Sequence, residues 1–434
     1  MFLKRALIGL LMMVVVRGVI GAELTIEITR GTDNPTTIAV VPMGTTPGLY
    51  PAVAIDAVVS ADLERSGLFD PLAVSEMIAQ PHQKSQVHYN DWRLLGTDFL
   101  VIGGMTRDAS GRYQVTFELY DVLRQRQLFS KNVNGTESQL RDIAHFMADE
   151  IYETLTGVKG AFSTKIVYVS VEQQANGRQN FRLVKADADG ERPVTVLDSP
   201  EPILSPTWSP DAKQVAYVSF EGGRPAIWRQ VLASGERQKL TNFSGLNSAP
   251  SWSPDGRKMA MVLSKDGDPE IYVLDLATNQ FDRITRHFGI DTEPQWLPDS
   301  RNIVFTSDRG GRPHIYQVDT VSRDLKRLTY DGAYNARPRP LPDGSGIVYV
   351  HRSEPGGPFY VALQNLERNT VRVLTDTQYD ESPSIAPNGS MIIYATKRLG
   401  KGILAVVSVD AAVKYFLPSA LREVREPAWS PFVR

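Results

Sequence analysis

The phrase Pro250-Ser-Trp-Ser-Pro-Asp255-Gly recurs six times, with small changes, between residues 206 and 431. The third residue of each copy stands at 208, 252, 296, 340, 385 and 429, so successive copies lie 44 or 45 residues apart. A fixed period of this length, with strand-like runs inside each unit, is typical of the blades of a β-propeller. The repeat therefore predicts a ring of blades and restricts function to what such a ring can do.

The first and last segments of the repeat region occupy different positions within the repeated unit. Each unit contains four apolar segments, as a four-stranded blade requires. The region opens at Lys165–Ser170 with a segment of the second type and closes at Pro427–Phe432 with a lone segment of the first type. If the phrase forms the innermost strand, the C-terminal strand must pair with residues 166–170, which removes two open sheet edges. We therefore expect residues 163–434 to form a six-bladed, all-β propeller closed by its C-terminal strand.

A different pattern precedes the repeats, over residues 23–160. Short strands alternate with helices, and the clearest helix is predicted over Thr136–Leu155, where Thr136 and Gln139 form a capping box. This region predicts an α+β N-terminal domain. Its first segment, the arm of residues 23–34, alternates Leu24, Ile26 and Ile28 with polar residues and predicts a short strand.

Residues 1–22 have the composition of a secretory signal peptide. A basic start at Lys4 and Arg5 is followed by an almost unbroken apolar run and by small residues before an expected cleavage at Glu23. The chain has no cysteine, which excludes disulfides and thiolate metal sites. Its formal net charge of −2 gives no reason to expect nucleic acid or an anionic membrane as a partner. We expect an exported protein that is stabilised by its core alone.

No arrangement of residues indicates an enzyme. The Gly-x-Ser-x-Gly string of a serine hydrolase is absent from the chain, and the six histidines do not pair at metal-ligand spacing. The aspartates of the repeated phrase are expected to serve their own turns, and its tryptophans to pack between blades. The competing hypothesis is a periplasmic propeller hydrolase or lyase that uses a metal in its channel. Inward-facing His, Asp or Glu side chains at the channel floor would distinguish it.

The residues just before each phrase are the best candidates for a binding site, because the turn does not explain them. If the phrase begins the inner strand, they ring one mouth of the channel, where a rigid propeller binds partners. Acidic residues outnumber arginines here, so we expect a net acidic mouth whose oxygens would also suit Ca²⁺, the one cofactor considered. The candidates are Asn247, Ala249, Asp291, Thr292, Glu293, Asn335, Arg337, Asp380, Glu381 and Glu426.

One stretch outside the phrase is more specific than the phrase itself. The predicted helix continues from Leu140 to Gly157 and leads directly into Lys159-Gly-Ala-Phe-Ser-Thr-Lys-Ile-Val-Tyr-Val169, with Phe117-Glu-Leu-Tyr-Asp121 upstream. Together with the repeats, these stretches resemble the TolB family, the periplasmic propellers of the Tol–Pal envelope system. The resemblance covers essentially the whole chain after residue 22.

The resemblance implies a periplasmic binding protein that supports outer-membrane integrity and cell division. In that family the propeller binds the peptidoglycan-associated lipoprotein Pal, the N-terminal arm engages TolA, and colicins use the same propeller mouth. Other outer-membrane proteins are further partners to consider, with membranes reached only through partners. The resemblance thus assigns the mouth candidates to Pal and the arm to TolA. The arm candidates are Glu23, Leu24, Ile26, Ile28, Arg30 and Asp33.

The residues of the arm, taken alone, leave two interpretations open. The arm is either an ordinary edge strand of the small N-terminal domain, or a strand that detaches and adds to the sheet edge of a partner.

Overall fold

The computed structural model describes residues 35–418 and 423–433, together with the backbone of residues 25–26. The predicted signal peptide and most of the arm therefore lie outside the described residues.

The N-terminal domain is a sheet with helices on both faces. Its helices are α1 (Ile55–Arg65), α2 (Tyr89–Leu94) and α3 (Leu140–Thr156). Its strands are Thr36–Val40, Gly44–Thr45, Phe69–Pro71, Phe99–Arg107, Tyr113–Asp121 and Arg126–Gly135. Thr36–Val40 pairs in parallel with Phe69–Pro71 on one side and with Phe99–Arg107 on the other, and Gly44–Thr45 also pairs in parallel with Phe99–Arg107. The last three strands form antiparallel hairpins. α1 and α3 share one apolar core with the sheet, and Trp92 of α2 is buried in a second core on the opposite face.

The long helix α3 forms where the sequence predicts a helix. The capping box of Thr136 and Gln139 is present, although the first turn, Glu137–Gln139, is a 3₁₀ turn. An apolar stripe from Leu140 to Ile151 is buried against the sheet. The helix ends at Gly157, whose φ of 75° is the left-handed conformation that favours glycine.

The propeller consists of six four-stranded blades, which we number from the one that contains both ends of the repeat region. Their strands, from the inner to the outer, are Glu423–Trp429, Lys165–Gln173, Gln179–Asp187 and Val194–Ser199 in blade 1; Ile203–Trp208, Gln214–Ser219, Ala226–Val231 and Arg237–Lys239 in blade 2; Asn247–Trp252, Lys258–Leu263, Glu270–Asp275 and Phe281–Arg283 in blade 3; Asp291–Trp296, Asn302–Ser307, His314–Asp319 and Leu325–Arg327 in blade 4; Tyr334–Pro340, Gly346–Arg352, Tyr360–Asn365 and Thr370–Val373 in blade 5; and Glu381–Ile385, Met391–Arg398, Lys401–Ser408 and Lys414–Phe416 in blade 6.

The C-terminal strand closes the ring as predicted. Arg425 pairs with Val169 and Trp429 with Ile166, so blade 1 takes its inner strand from the end of the chain. The amide of Ser430 then donates to the carbonyl of Lys165 at 2.8 Å. Closure leaves the described inner strands without a free edge inside the ring. The predicted fold class, an α+β domain followed by a closed six-bladed propeller, is confirmed.

The repeated phrase performs the structural tasks expected of it. In blade 3, Asp255 Oδ1 accepts hydrogen bonds from Ser253 Oγ at 2.6 Å and from the Arg257 amide at 3.0 Å. Two of the tryptophans join neighbouring blades, since Trp296 Nε1 donates to the Ser251 carbonyl of the preceding blade at 3.2 Å and Trp208 Nε1 donates to the Ala428 carbonyl at 3.0 Å. The phrase therefore builds turns between inner and second strands and contributes contacts between blades.

The described backbone of the arm pairs with the propeller. Thr25 and Ile26 lie parallel to Thr370 and Val371, and so add a fifth strand to the outer edge of blade 5. The interpretation of the arm as an edge strand of the small domain is therefore wrong for these two residues.

Candidate partner-binding site

Every inner strand contains a β-bulge directly before the Pro of the phrase. The register with the second strand shifts there in all six blades. One non-glycine residue at each bulge has φ between 48° and 57°. A bulge re-aims a side chain out of the normal alternation of a strand, and all six of these side chains line the central channel. The bulge residues are Ser205, Ala249, Glu293, Arg337, Ser382 and Glu426.

In four repeats the residue three positions before the Pro of the phrase is buried and forms hydrogen bonds with loops of the mouth. These residues are Asn247, Asp291, Asn335 and Asp380, and none has exposed surface. Asn247 Nδ2, for example, donates to the Phe243 carbonyl at 2.8 Å, and Arg309 Nη2 donates to Asp291 Oδ2 at 2.6 Å. Burial raises the pKa of Asp291 despite this ion pair. These four predicted site residues therefore shape the mouth without facing the solvent.

The other predicted mouth residues are distributed between the channel and its rim. Ala249, Glu293, Arg337 and Glu426 are bulge residues in the channel wall. Thr292 is half-buried, and Glu381 is exposed at the rim.

The channel has a volume of about 340 Å³ and contains a network of charges. Arg337 Nε lies 2.9 Å from Glu293 Oε1, and its Nη1 lies 3.5 Å from Glu426 Oε1. Glu426 Oε2 also accepts a hydrogen bond from the Ser205 amide at 2.7 Å. Burial alone would lower the pKa of Arg337, but the carboxylates around it raise that pKa. These ion pairs and this hydrogen bond connect the inner strands of blades 1, 2, 4 and 5.

A second arginine makes the channel electrically balanced. Arg339 also lines the channel, and its Nη1 donates to the carbonyl of Pro338 at 2.9 Å. Burial lowers its pKa to about 10, so Arg339 stays charged at neutral pH. Two arginines thus face Glu293 and Glu426, and the acidic excess that the sequence predicts for this mouth is largely neutralised.

Glu293 and Glu426 are the channel residues that offer oxygens to a cation such as Ca²⁺. Both already interact with Arg337. Among the described residues, the one group of three metal-ligand side chains is Asp62, His145 and Asp189. That group lies at the junction of the two domains, where arginines already occupy its carboxylates.

Exposed apolar side chains surround the mouth at which the inner strands begin, which we call the loop mouth. Its loops join the outer strand of one blade to the inner strand of the next. Phe288 is 83% exposed and Tyr330 is 64% exposed, and Leu246, Ile290 and Tyr379 are also exposed. Sequence reasoning missed these residues. The sequence could have indicated them, because an apolar residue stands in each short segment between the end of one unit and the next phrase.

A groove of about 270 Å³ opens beside the channel, between blades 5 and 6. Tyr334, Phe359 and Tyr379 form its aromatic wall, and Lys397 Nζ lies 5.0 Å from the centre of the Tyr379 ring. Arg337 lines both the groove and the channel, so the two cavities adjoin. The loop mouth therefore offers apolar surface, an aromatic groove and a polar channel on one face.

The arm candidates are only partly described. Glu23, Leu24, Ile28, Arg30 and Asp33 lie outside the described residues, and Ile26 is described by its backbone alone.

A buried ion network joins the N-terminal domain to blade 1. His145 Nδ1 of α3 lies 2.6 Å from Asp62 Oδ2 of α1, and its Nε2 lies 3.6 Å from Asp187 Oδ2 of the propeller. Burial by itself lowers the pKa of His145, but the interactions with Asp187, Asp62 and Asp189 outweigh burial and raise it to about 9. Arg141 interacts with Asp187 and Asp189. The network holds the propeller against α1 and α3.

Comparison with protein families covers both parts of the chain. A model of the TolB amino-terminal domain matches residues 24–128, and a model of the TolB beta propeller domain matches residues 152–433. The chain belongs to the TolB family. Among curated relatives, the Tol-Pal system protein TolB of Pseudomonas fluorescens (strain SBW25) is 52% identical over 95% of each chain. That of Pseudomonas syringae pv. syringae (strain B728a) is 54% identical over 95% of each chain.

A solved structure shows the same architecture. The crystal structure of TolB from Acinetobacter baumannii is 43% identical and superposes with a TM-score of 0.85, covering 94% of this chain and 100% of that one. The family resemblance seen in the sequence is confirmed, and the chain is a β-propeller protein of the TolB type. Among the residues that the structure describes, no helix combines the length and the apolar character that a membrane crossing needs.

Proposed function

We propose that this protein is a non-enzymatic, periplasmic interaction hub of the Tol–Pal system. Its loop mouth binds Pal, its N-terminal arm binds TolA, and through both it supports outer-membrane integrity and cell division. The observation that carries the proposal is the set of exposed apolar side chains, led by Phe288 and Tyr330, around a channel whose charges are already paired.

The composition of the loop mouth suits a protein partner. Interfaces place aromatic side chains and arginine at their centre and polar groups at their rim. Phe288, Tyr330 and the groove residue Tyr379 supply the aromatic surface. Buried Asn247 and Asn335 hold the loops in one conformation, so little entropy is lost when a partner binds.

The chemistry of the channel favours binding over catalysis. A hydrolase or lyase needs a carboxylate or imidazole that is free to accept a proton or to hold a metal. Glu293 and Glu426 instead accept hydrogen bonds from backbone amides and interact with Arg337. The channel side chains therefore support the binding protein over its enzymatic alternative.

The arm suits a partner that exchanges strands. At Thr25 and Ile26 it adds to the outer edge of blade 5 through backbone pairing. A strand held at a sheet edge offers the same backbone groups to a partner, so docked and partner-bound states compete for them.

The loop mouth is tested by replacing its exposed aromatic residues. The variant Phe288→Ser/Tyr330→Ser should bind purified Pal at least about tenfold more weakly, because removing two anchor residues costs more than 1.4 kcal/mol. The matched control is Val321→Ser, an exposed residue in the turn between the third and outer strands of blade 4. Isothermal titration calorimetry measures the affinity of Pal for the wild type, the double variant and the control. Equal affinities for Pal would move its binding site to another face.

The arm is tested separately. A chain without residues 23–34 should lose binding to TolA and retain binding to Pal, because the loop mouth is untouched. Full affinity for TolA after this deletion would show that the arm is only a structural strand.

A further inference from the structure

A hairpin tip on the N-terminal domain combines exposed leucines with arginines. The tip consists of the last residues of α2, Arg93 and Leu94, of residues 123–125 in the turn between two strands, and of Arg126, with which the second of these strands begins. Leu94 is 86% exposed and Leu123 is 62% exposed, which is unusual for side chains of this size. The net charge of the whole chain gives no indication of this local feature.

The two leucines lie on one surface. Arg93 Nη2 donates to the carbonyl of Leu123 at 2.8 Å and so joins the end of α2 to the turn. Leu94 is the next residue along the chain. Beneath them, Trp92 and Val122 are buried in a common apolar core. Because the adjacent Trp92 and Val122 are held in this core, Leu94 and Leu123 are directed outward.

The turn itself is well defined. Asp121 Oδ1 accepts a hydrogen bond from the Arg124 amide at 2.8 Å, and the Val122 amide donates to the Asp98 carbonyl at 2.9 Å. Gln125 adopts a φ of 53°, which reverses the chain. These contacts present Leu123 outward as part of the hairpin.

The charge around the leucines is positive. Arg93, Arg124 and Arg126 are all exposed. Arg124 Nη1 lies 2.8 Å from the buried carboxylate of Asp121, which offsets one of the three charges. Two positive charges beside two exposed aliphatic side chains are complementary to a surface that is negatively charged outside and apolar beneath.

We propose that this hairpin tip binds the surface of an anionic phospholipid bilayer. The leucines enter the boundary between headgroups and acyl chains, while the arginines bind phosphate groups through their guanidinium forks. A protein partner is disfavoured because the tip residues include only two apolar side chains, both aliphatic, and no aromatic side chain that could act as an anchor. The site is independent of the loop mouth, and it would hold the hub at a membrane without a protein partner.

Vesicle sedimentation tests the proposal with the full chain. The protein should bind vesicles that contain phosphatidylglycerol and should not bind vesicles of phosphatidylcholine alone. Salt at about 0.5 M should release most of it, because screening shortens the reach of the arginine charges. Absence of binding, or equal binding to both kinds of vesicle, would overturn the proposal.

Matched variants locate the binding site. Leu94→Ser/Leu123→Ser and, separately, Arg124→Gln/Arg126→Gln should each lower the vesicle partition coefficient about tenfold or more. The control is Leu399→Ser, since Leu399 is as exposed as any large apolar residue but lies on blade 6. Melting curves of the leucine variant and of the control should match the wild type, because the side chains that they replace are exposed. The arginine variant also removes the ion pair between Arg124 and the buried Asp121, so its own melting curve sets the temperature at which its binding is measured. The proposal fails if the control weakens binding as much as the tip variants do.

Discussion

At the scale of single residues, His145 shows how a buried titratable group contributes to stability. Its pKa of about 9 lies above the ordinary value of 6.5 because Asp187 and Asp62 stabilise its charged form more than burial destabilises it. A raised pKa in the folded state means that the folded protein holds this proton more tightly than the unfolded chain does. The resulting stabilisation is complete below about pH 6.5 and is lost as the pH rises through about 9.

The variant His145→Gln should remove this pH dependence. We expect the wild type to lose up to a few kcal/mol of unfolding free energy between about pH 7 and 9.5, beyond the loss shown by the variant. Urea denaturation at a series of pH values measures the difference. Parallel curves for both proteins would contradict the role assigned to His145, and Gln is chosen to keep a hydrogen-bonding side chain there.

Two adjacent positions of the repeat should differ in their contribution to stability: the buried position that Asn335 occupies in blade 5 and the next, exposed position that Glu381 occupies in blade 6. Asn335 is buried. Its Nδ2 donates to the Asp331 carbonyl at 2.7 Å, and its Oδ1 lies 2.7 Å from His351 Nδ1. Asn335→Ala should lower the unfolding free energy by about 1–3 kcal/mol, because it leaves buried polar groups without partners. Glu381→Ala, at the exposed rim, should stay within about 0.5 kcal/mol of the wild type. Equal losses in urea denaturation would contradict this division.

At the scale of elements, ring closure depends on one strand. The segment Glu423–Trp429 supplies the inner strand of blade 1, and its Trp429 Nε1 donates to Thr164 Oγ1 at 2.8 Å. Without it, the strand Lys165–Gln173 has an unpaired inner edge, and blades 6 and 2 lose the strand between them.

Deletion of residues 423–434 should therefore destabilise the propeller by more than about 4 kcal/mol and promote aggregation. Thermal melting and light scattering measure the two effects. The control is removal of residues 433–434 only, which leaves the strand intact. A truncated chain that melts like this control would show that closure contributes little.

The repeat predicts the elements better than it predicts the site. The 44-residue period places the blades, the turns and the closing strand, because apolar alternation and Pro-Asp-Gly turns are local signals. It does not reveal the bulge before each phrase, because a positive φ at Glu293 or Arg337 has no glycine to mark it. The bulge decides which candidates enter the channel and which are buried. Sequence reasoning therefore located the mouth but could not separate Asn335, which holds a loop, from Arg337, which lines the channel.

At the scale of the whole molecule, the two domains are joined by charge. Asp187 lies at the end of the third strand of blade 1 and contacts cations from both domains. Its carboxylate is 2.7 Å from Lys165 Nζ and from Arg192 Nε, and 3.4 Å from Arg141 Nε of α3. Burial alone would raise the pKa of Asp187, but His145, Arg192 and Lys165 hold it well below its usual range. Charged side chains from both domains therefore meet at this one carboxylate.

The variant Asp187→Asn should loosen the contact between the domains. It removes a counter-charge from the buried His145 and from the half-buried Arg141 and Lys165, which costs about 3–5 kcal/mol when the geometry is otherwise kept. We expect the wild type to unfold in one calorimetric transition and the variant to unfold in two, because the domains no longer support each other. The control is Asp282→Asn, whose partner Arg323 lies 2.6 Å away at the surface and whose loss should cost less than about 1 kcal/mol. If both variants retain a single transition at the same temperature, the ion network does not couple the domains, and apolar packing between them carries the contact instead.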